Sequence, residues 1–126
     1  MTTRQKAEKA CDEALREFVR WRDALGWKFT CFCCRETYPK EFASVGHYRK
    51  RRHLATRWYD KNCHLICNEC QNEAKSENDL NYAYWLDEIY GKGTAEQITI
   101  LSNRDVRYTV PELLDIADAL RKRINP

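Results

Sequence analysis

Four cysteines in two pairs, Cys31-Phe32-Cys33-Cys34 and Cys67-Asn68-Glu69-Cys70, constrain this chain more than anything else in it. A C-x2-C layout repeated in this way turns the two sulfurs of each pair toward a common point, which is the spacing of a four-thiolate structural zinc site. Cys31 with Cys33 is an alternative first pair. Two intervening residues are needed to bring both sulfurs onto one tetrahedral ion, however, and that favours Cys31, Cys34, Cys67 and Cys70. Cys11 and Cys63 fall outside the pattern. Disulfides and buried free thiols are the competing readings, but seven cysteines is an odd number, no apolar N-terminal stretch reads as a secretory signal, and the paired spacing suits a metal. The expectation is a Zn2+ staple in a soluble protein of a reducing compartment.

A chain of 126 residues is one domain, with a core modest enough for a zinc staple to matter to folding. No apolar run is long enough to span a membrane. Residues 3–25 have helical periodicity, with Cys11, Ala14, Leu15, Phe18, Trp21 and Leu25 on one stripe and Gly26 as the stop. Residues 27–48 are rich in aromatic and β-branched residues, are broken by Tyr38-Pro39-Lys40, and read as a knuckle followed by a β-hairpin. Residues 49–63 read as a loop with short extended pieces. Helices are expected at 70–75, at 80–90 with Leu80, Ala83, Tyr84, Leu86 and Ile89 on one face, at 95–101, and from Thr109 to about residue 124. Thr109 and Glu112 there form a capping box, and Pro111 is tolerated in the first turn.

Charge is unevenly placed. The net +3 resolves into +1 over residues 1–26, +6 over 27–61 and −4 over 62–126. The basic run Arg49-Lys50-Arg51-Arg52 sits between the cysteine pairs, beside His47 and not far from Arg57. Clustered cations beside a metal site favour a polyanionic substrate, because neutralising phosphates releases counterions. A solvated charged loop is the plain alternative.

The order knuckle, hairpin, loop, knuckle, helix is what a treble clef carrying a ββα-metal, or HNH, site requires. The expected fold is therefore α+β, a zinc-stapled treble-clef core over residues 27–76 flanked by an N-terminal helix over 1–26 and C-terminal helices over 77–126. In such a site a histidine on the hairpin activates water and a divalent cation stabilises the scissile phosphate. His47 falls at the hairpin end, Asn62 and His64 just before the second knuckle, and Gln71 and Asn72 just after it.

At these residues the chain resembles the NinG (Rap) recombination nucleases of lambda-like phages. The resemblance is carried by Cys31 and Cys34, by Gly46-His47-Tyr48, and by Arg57-Trp58-Tyr59-Asp60-Lys61-Asn62-Cys63-His64 leading into Cys67 and Cys70. It extends to Leu15-Arg16-Glu17-Phe18-Val19-Arg20-Trp21-Arg22-Asp23, to Ser102-Asn103 and to Tyr108-Thr109-Val110 with Glu112. It implies a phage-encoded, HNH-like endonuclease of the host cytoplasm that cuts branched DNA such as Holliday junctions and D-loops, with zinc structural and Mg2+ or Mn2+ catalytic. A second copy of the chain is a candidate partner, and no membrane is involved. Three positions depart from the pattern. Ser44 stands where the resemblance implies an Asp three residues before the motif histidine. Gln71 stands where the family has Asn directly after the fourth cysteine, and Gly46 stands where HNH enzymes have Asp before the base.

The resulting assignment makes His47 the general base, with Asn62 and His64 completing the catalytic group. Asp60, Gln71 and Asn72 are candidates for the Mg2+ shell, and Arg49, Lys50, Arg51, Arg52 and Arg57 for contacts to the DNA backbone. Plainer roles compete at several positions. His64 can brace the knuckle, Asn62 can cap a turn, His53 can face phosphate or solvent, and Trp58 and Tyr59 can pack under the loop rather than stack on a base. As a whole, the chain can also be read as a non-catalytic zinc module that binds DNA or a host protein, or as a zinc adaptor.

Overall fold

A computed structural model describes residues 1–73 and 79–126. The chain is α+β, with two small antiparallel sheets among six helices of the described residues. Helix α1 spans Thr3–Asp23 and opens on a capping box that sequence reading overlooked. The Thr2 hydroxyl accepts from the Gln5 N–H at 3.0 Å, and the Gln5 side chain accepts from the Thr2 N–H at 2.8 Å. It ends two residues short of the expected point, because Ala24–Leu25 form a strand, β1, that turns at Gly26 and pairs with β2, Lys28–Thr30. Gly26 takes φ +65°, a left-handed conformation that costs glycine little. Leu25 and Trp21 therefore leave the expected stripe and are exposed. The buried face of α1 is Ala7, Cys11, Ala14, Leu15, Phe18 and Val19.

That face packs on the last helix, α6, Val110–Lys122, where the Thr109/Glu112 capping box and an early Pro111 form as expected. Arg4 donates to the Tyr108 carbonyl, the Cys11 thiol to the Leu113 carbonyl, Arg121 pairs with Glu17, and the Trp21 indole donates to Asn125. The partners ascend together in number, so the two helices run parallel. Filling their shared face with Phe18, Val19, Leu113 and Leu120 contributes about 1.5–3 kcal/mol per large side chain.

Residues 27–48 do not make a hairpin of their own after the knuckle. Strand β3, Thr37–Pro39, pairs with β2 on either side of the first knuckle. Strand β4, Ala43–His47, finds its partner instead in β5, Cys63–Cys67, with Ala43 opposite Cys67 and His47 opposite Cys63. The connection between them is helical rather than extended, with α2 at Leu54–Arg57 and a 3-10 turn at Asp60–Asn62. A single turn of helix is too short to leave a periodicity. Helix α3, Asn68–Glu73, follows β5 directly, and the expected continuation over residues 74–75 lies outside the described residues.

Helix α4 occupies Leu80–Tyr90, as the Gly91 stop implied, but presents another face to the core. Tyr82 and Leu86 are buried, while Leu80, Tyr84 and Ile89 are exposed. Tyr82 can go inside because its hydroxyl finds partners there. Helix α5, Thr94–Ser102, pairs with α4 and also touches α2. Among the described residues, no helix is long and apolar enough to cross a membrane.

Candidate metal centre and the His47 face

The chain leaves β2 at Cys31 and folds back at once, the Cys31 N–H donating to the Glu36 carbonyl at 2.8 Å and Arg35 taking φ +65°. Cys34 sits on this turn. Cys67 ends β5 and Cys70 lies in the first turn of α3, so the strand and helix deliver the other two thiols to the same point. All four sulfurs lie within 4.8 Å of one another, with Cys34 and Cys67 at 3.9 Å. Bonds of about 2.3 Å to a tetrahedral zinc give sulfur–sulfur edges near ~3.8 Å. Backbone N–H groups already point at the sulfurs, that of Cys67 at Cys31 Sγ (3.4 Å) and that of Cys70 at Cys67 Sγ (3.5 Å). The four cysteines can hold a metal such as zinc. Cys33 does not join them. Cys11 and Cys63 also stay apart, their buried thiols facing the Leu113 and Arg57 carbonyls.

The β4–β5 register sets the rest. Neighbouring strand residues point to opposite faces, so His47 and its partner Cys63 share one face, and Gly46 and its partner His64 the other. His47 Nε2 lies 2.9 Å from the Arg57 carbonyl. A carbonyl only accepts, so Nε2 carries the proton and Nδ1 keeps the lone pair. Burial pushes the His47 pKa down to about 4; the Arg57 carbonyl bond opposes this and the Arg51 charge adds to it. The ring is neutral at physiological pH, the form a general base needs.

Asn62 fixes the loop that supplies that carbonyl. Its side chain is fully buried, accepting from the Arg49 N–H at 2.8 Å and donating to the Arg49 and Thr56 carbonyls at 3.0 Å each. The structure thus places Asn62 as a clamp across residues 49–56, one residue before the carbonyl that holds His47.

His64 is buried behind the hairpin. Tyr82 donates to the Gly46 carbonyl at 2.7 Å, so its oxygen accepts from His64 Nδ1 (3.0 Å), and His64 Nε2 in turn accepts from the Tyr90 hydroxyl (2.8 Å). The ring stacks on Phe32. Burial, with the charges of Arg22 and Arg35, holds its pKa well below the ordinary histidine range. His64 and His47 are not brought together, and both His64 nitrogens are occupied.

Two cavities flank β4. The larger, about 390 Å³, opens between α1 and β4 and is lined by His47, Arg51, Arg16, Arg20 and Ser44 over an apolar floor of Leu15, Val45 and Leu65. The smaller, about 130 Å³, carries His47, Lys50, Arg51 and Gln71. Of the candidate Mg2+ ligands only Gln71 reaches a cavity that holds His47. Asn72 is exposed on α3 and lines neither cavity. Asp60 pairs with Arg123 at 3.0 Å and its carbonyl accepts from Arg22, which ties it to the ends of α6 and α1.

The expected phosphate-binding cations are not equivalent. Arg51 and Arg52 are exposed and Lys50 is half-buried. Arg49 is buried and donates to Ser102 at 2.8 Å, with His53 beside it. Arg57 forms a two-pronged pair with Asp12 of α1, which also takes Trp58 Nε1 and Arg51 at 2.8 Å. Burial alone would raise the Asp12 pKa, but these donors outweigh it and hold the carboxyl below its ordinary range. Trp58 is packed, not displayed. Asp12 and Tyr82 are the residues that sequence reading missed, and nothing in a lone Asp on a helix or a Tyr beside Asn signals either contact.

The fold and site define an α+β protein whose four clustered cysteines can hold a metal at one end of the β4–β5 pair, with a basic histidine face at the other. The chain belongs to the bacteriophage lambda NinG protein family, whose model matches residues 1–125. No match was found among curated proteins or solved structures.

Proposed function

We propose that this chain is a metal-dependent DNA endonuclease of the HNH type, built on a zinc-held treble clef and acting on branched DNA in phage recombination in the host cytoplasm. The observation that carries the reading is His47: neutral, fixed by the Arg57 carbonyl, and lining a cationic cavity. The β4–β5–α3 unit that bears it is closed by the four cysteines at its far end. Zinc at Cys31, Cys34, Cys67 and Cys70 would hold the knuckle to α3 and so keep the hairpin and helix in register. Nδ1 of His47 takes a proton from water attacking the phosphodiester, and Arg51 and Lys50 neutralise the phosphate that is attacked. Gln71 is the side chain that would hold Mg2+ or Mn2+ together with substrate phosphate oxygens. Such an ion stabilises charge on the leaving oxygen when bound.

One observation favours a second reading. Mg2+ sites normally include one or two carboxylates, and Asp12, the carboxylate at the larger cavity, is already engaged by Arg57, Trp58 and Arg51. A module that binds DNA without cutting it would show this arrangement. Plasmid nicking and four-way-junction cleavage with Mg2+, Mn2+ and EDTA arms separate the two. Cleavage abolished by EDTA supports the enzyme. Tight junction binding with no product under either ion supports the binding module.

A further inference from the structure

The cations that sequence reading selected all lie between the cysteine pairs, yet the larger His47 cavity has a second wall. Arg16 and Arg20 stand on α1 four residues apart and line the same cavity as His47 and Arg51, about 6 Å from each other along the helix axis. Both are exposed. Among the described residues Arg16 has no hydrogen-bond or ion-pair partner, and Arg20 makes one long bond of 3.4 Å to the Lys40 carbonyl. The carboxylate on this wall, Asp12, lies one further turn back and is covered by its own donors. Three guanidiniums therefore face one cleft over an apolar floor, where an anion feels them more strongly than in open water.

We infer that the cleft between α1 and β4 is a track for the phosphate backbone of a nucleic-acid strand, with Arg16 and Arg20 forming its second wall. The inference rests on the nucleic-acid reading of the His47 face, and it makes the N-terminal helix part of the binding surface as well as part of the core. A row of cations along a helix suits successive phosphates of a polymer. Convergence on one point would suit a free phosphate instead.

The test is the salt dependence of junction binding, followed by fluorescence anisotropy, with cleavage measured in parallel. Each phosphate contact contributes about 0.9 to the slope of log affinity against log salt. The double variant Arg16→Ala/Arg20→Ala should lower that slope by about two and weaken binding roughly 30-fold near 0.15 M salt. Arg16→Lys/Arg20→Lys should restore most of the slope. Lys6→Ala/Lys9→Ala, which removes the same charge from the same helix away from the cleft, should change neither. An unchanged slope in the arginine variant, or an equal loss in the lysine control, overturns the track. So does saturable binding of inorganic phosphate that depends on both arginines while the DNA slope stays fixed. A parent that binds but does not cut, with the arginine variant weakened, removes the nuclease reading and keeps the track. A parent that cuts, with the variant's affinity unchanged, does the reverse.

Discussion

Replacing Asn62 by Ala should damage the protein out of proportion to the few atoms removed. The side chain is fully buried and makes three hydrogen bonds of 2.8–3.0 Å to backbone groups of Arg49 and Thr56. Buried hydrogen bonds of this kind contribute about 1–1.5 kcal/mol each, and more where a polar group is left facing the core. Three of them give a loss of roughly 3–4.5 kcal/mol, a large share of the ~5–15 kcal/mol by which a domain is stable. In a thermal melt this is a fall of about 10 °C or more. Asn62→Asp tests the geometry rather than the size. It keeps the acceptor toward the Arg49 N–H but sets an oxygen against the Arg49 and Thr56 carbonyls. It should be as harmful as Ala at neutral pH and partly recover when the carboxyl is protonated and can donate. A loss below about 1 kcal/mol for Asn62→Ala in urea unfolding, or no pH dependence of the Asp variant's deficit, would refute the clamp.

The other expectations follow from the same geometry. One zinc per chain should survive Cys11→Ser, Cys33→Ser and Cys63→Ser, whereas Cys67→Ser should release the metal and unfold the chain; elemental analysis beside circular dichroism checks this. Gly46→Asp, the change toward the usual HNH residue, should not improve a metal site. A Cβ there would lie 2.8 Å from Ile66 Cγ1 and collide with Cδ1, costing about 1–3 kcal/mol, and Ile66→Ala in the same chain should recover part of that loss in a melt. The folded His47 pKa lies below its unfolded value, so its contribution is complete above about pH 6.5 and is lost as pH falls toward 4. Relative to His47→Gln, the native chain should lose roughly 3 kcal/mol over that window. Parallel pH–stability curves for the two would contradict the burial argument.

The cysteine cluster was legible because cysteine spacing is a local signal, and the structure brings together the four cysteines chosen. Helix α6 was legible for the same reason, through Thr109, Pro111 and Glu112. What could not be read were partnerships across long stretches of chain. Strand β4 finds β5 only after a 15-residue connection, and the reading of a hairpin within 27–48 failed there. The roles of Asn62 and His64 depend on which strand face each occupies, and that follows from the register of a pairing the sequence does not announce. Charge was misleading in a similar way. Arg49 belongs to a basic run and Arg57 follows it in the same basic segment, but in space one is spent on Ser102 and the other on Asp12, while Arg16 and Arg20 reach the cavity from a helix that reads simply as core.

The most direct test of the central claim is the single-turnover cleavage of a saturating four-way junction by the native chain and by His47→Ala, with Mg2+ or Mn2+ present. Loss of a positioned general base predicts a fall in rate of about 10²–10⁴-fold with little change in junction affinity. Equal cleavage rates for the two proteins would show that His47 is not the base and that the His47 face is not where the chain acts.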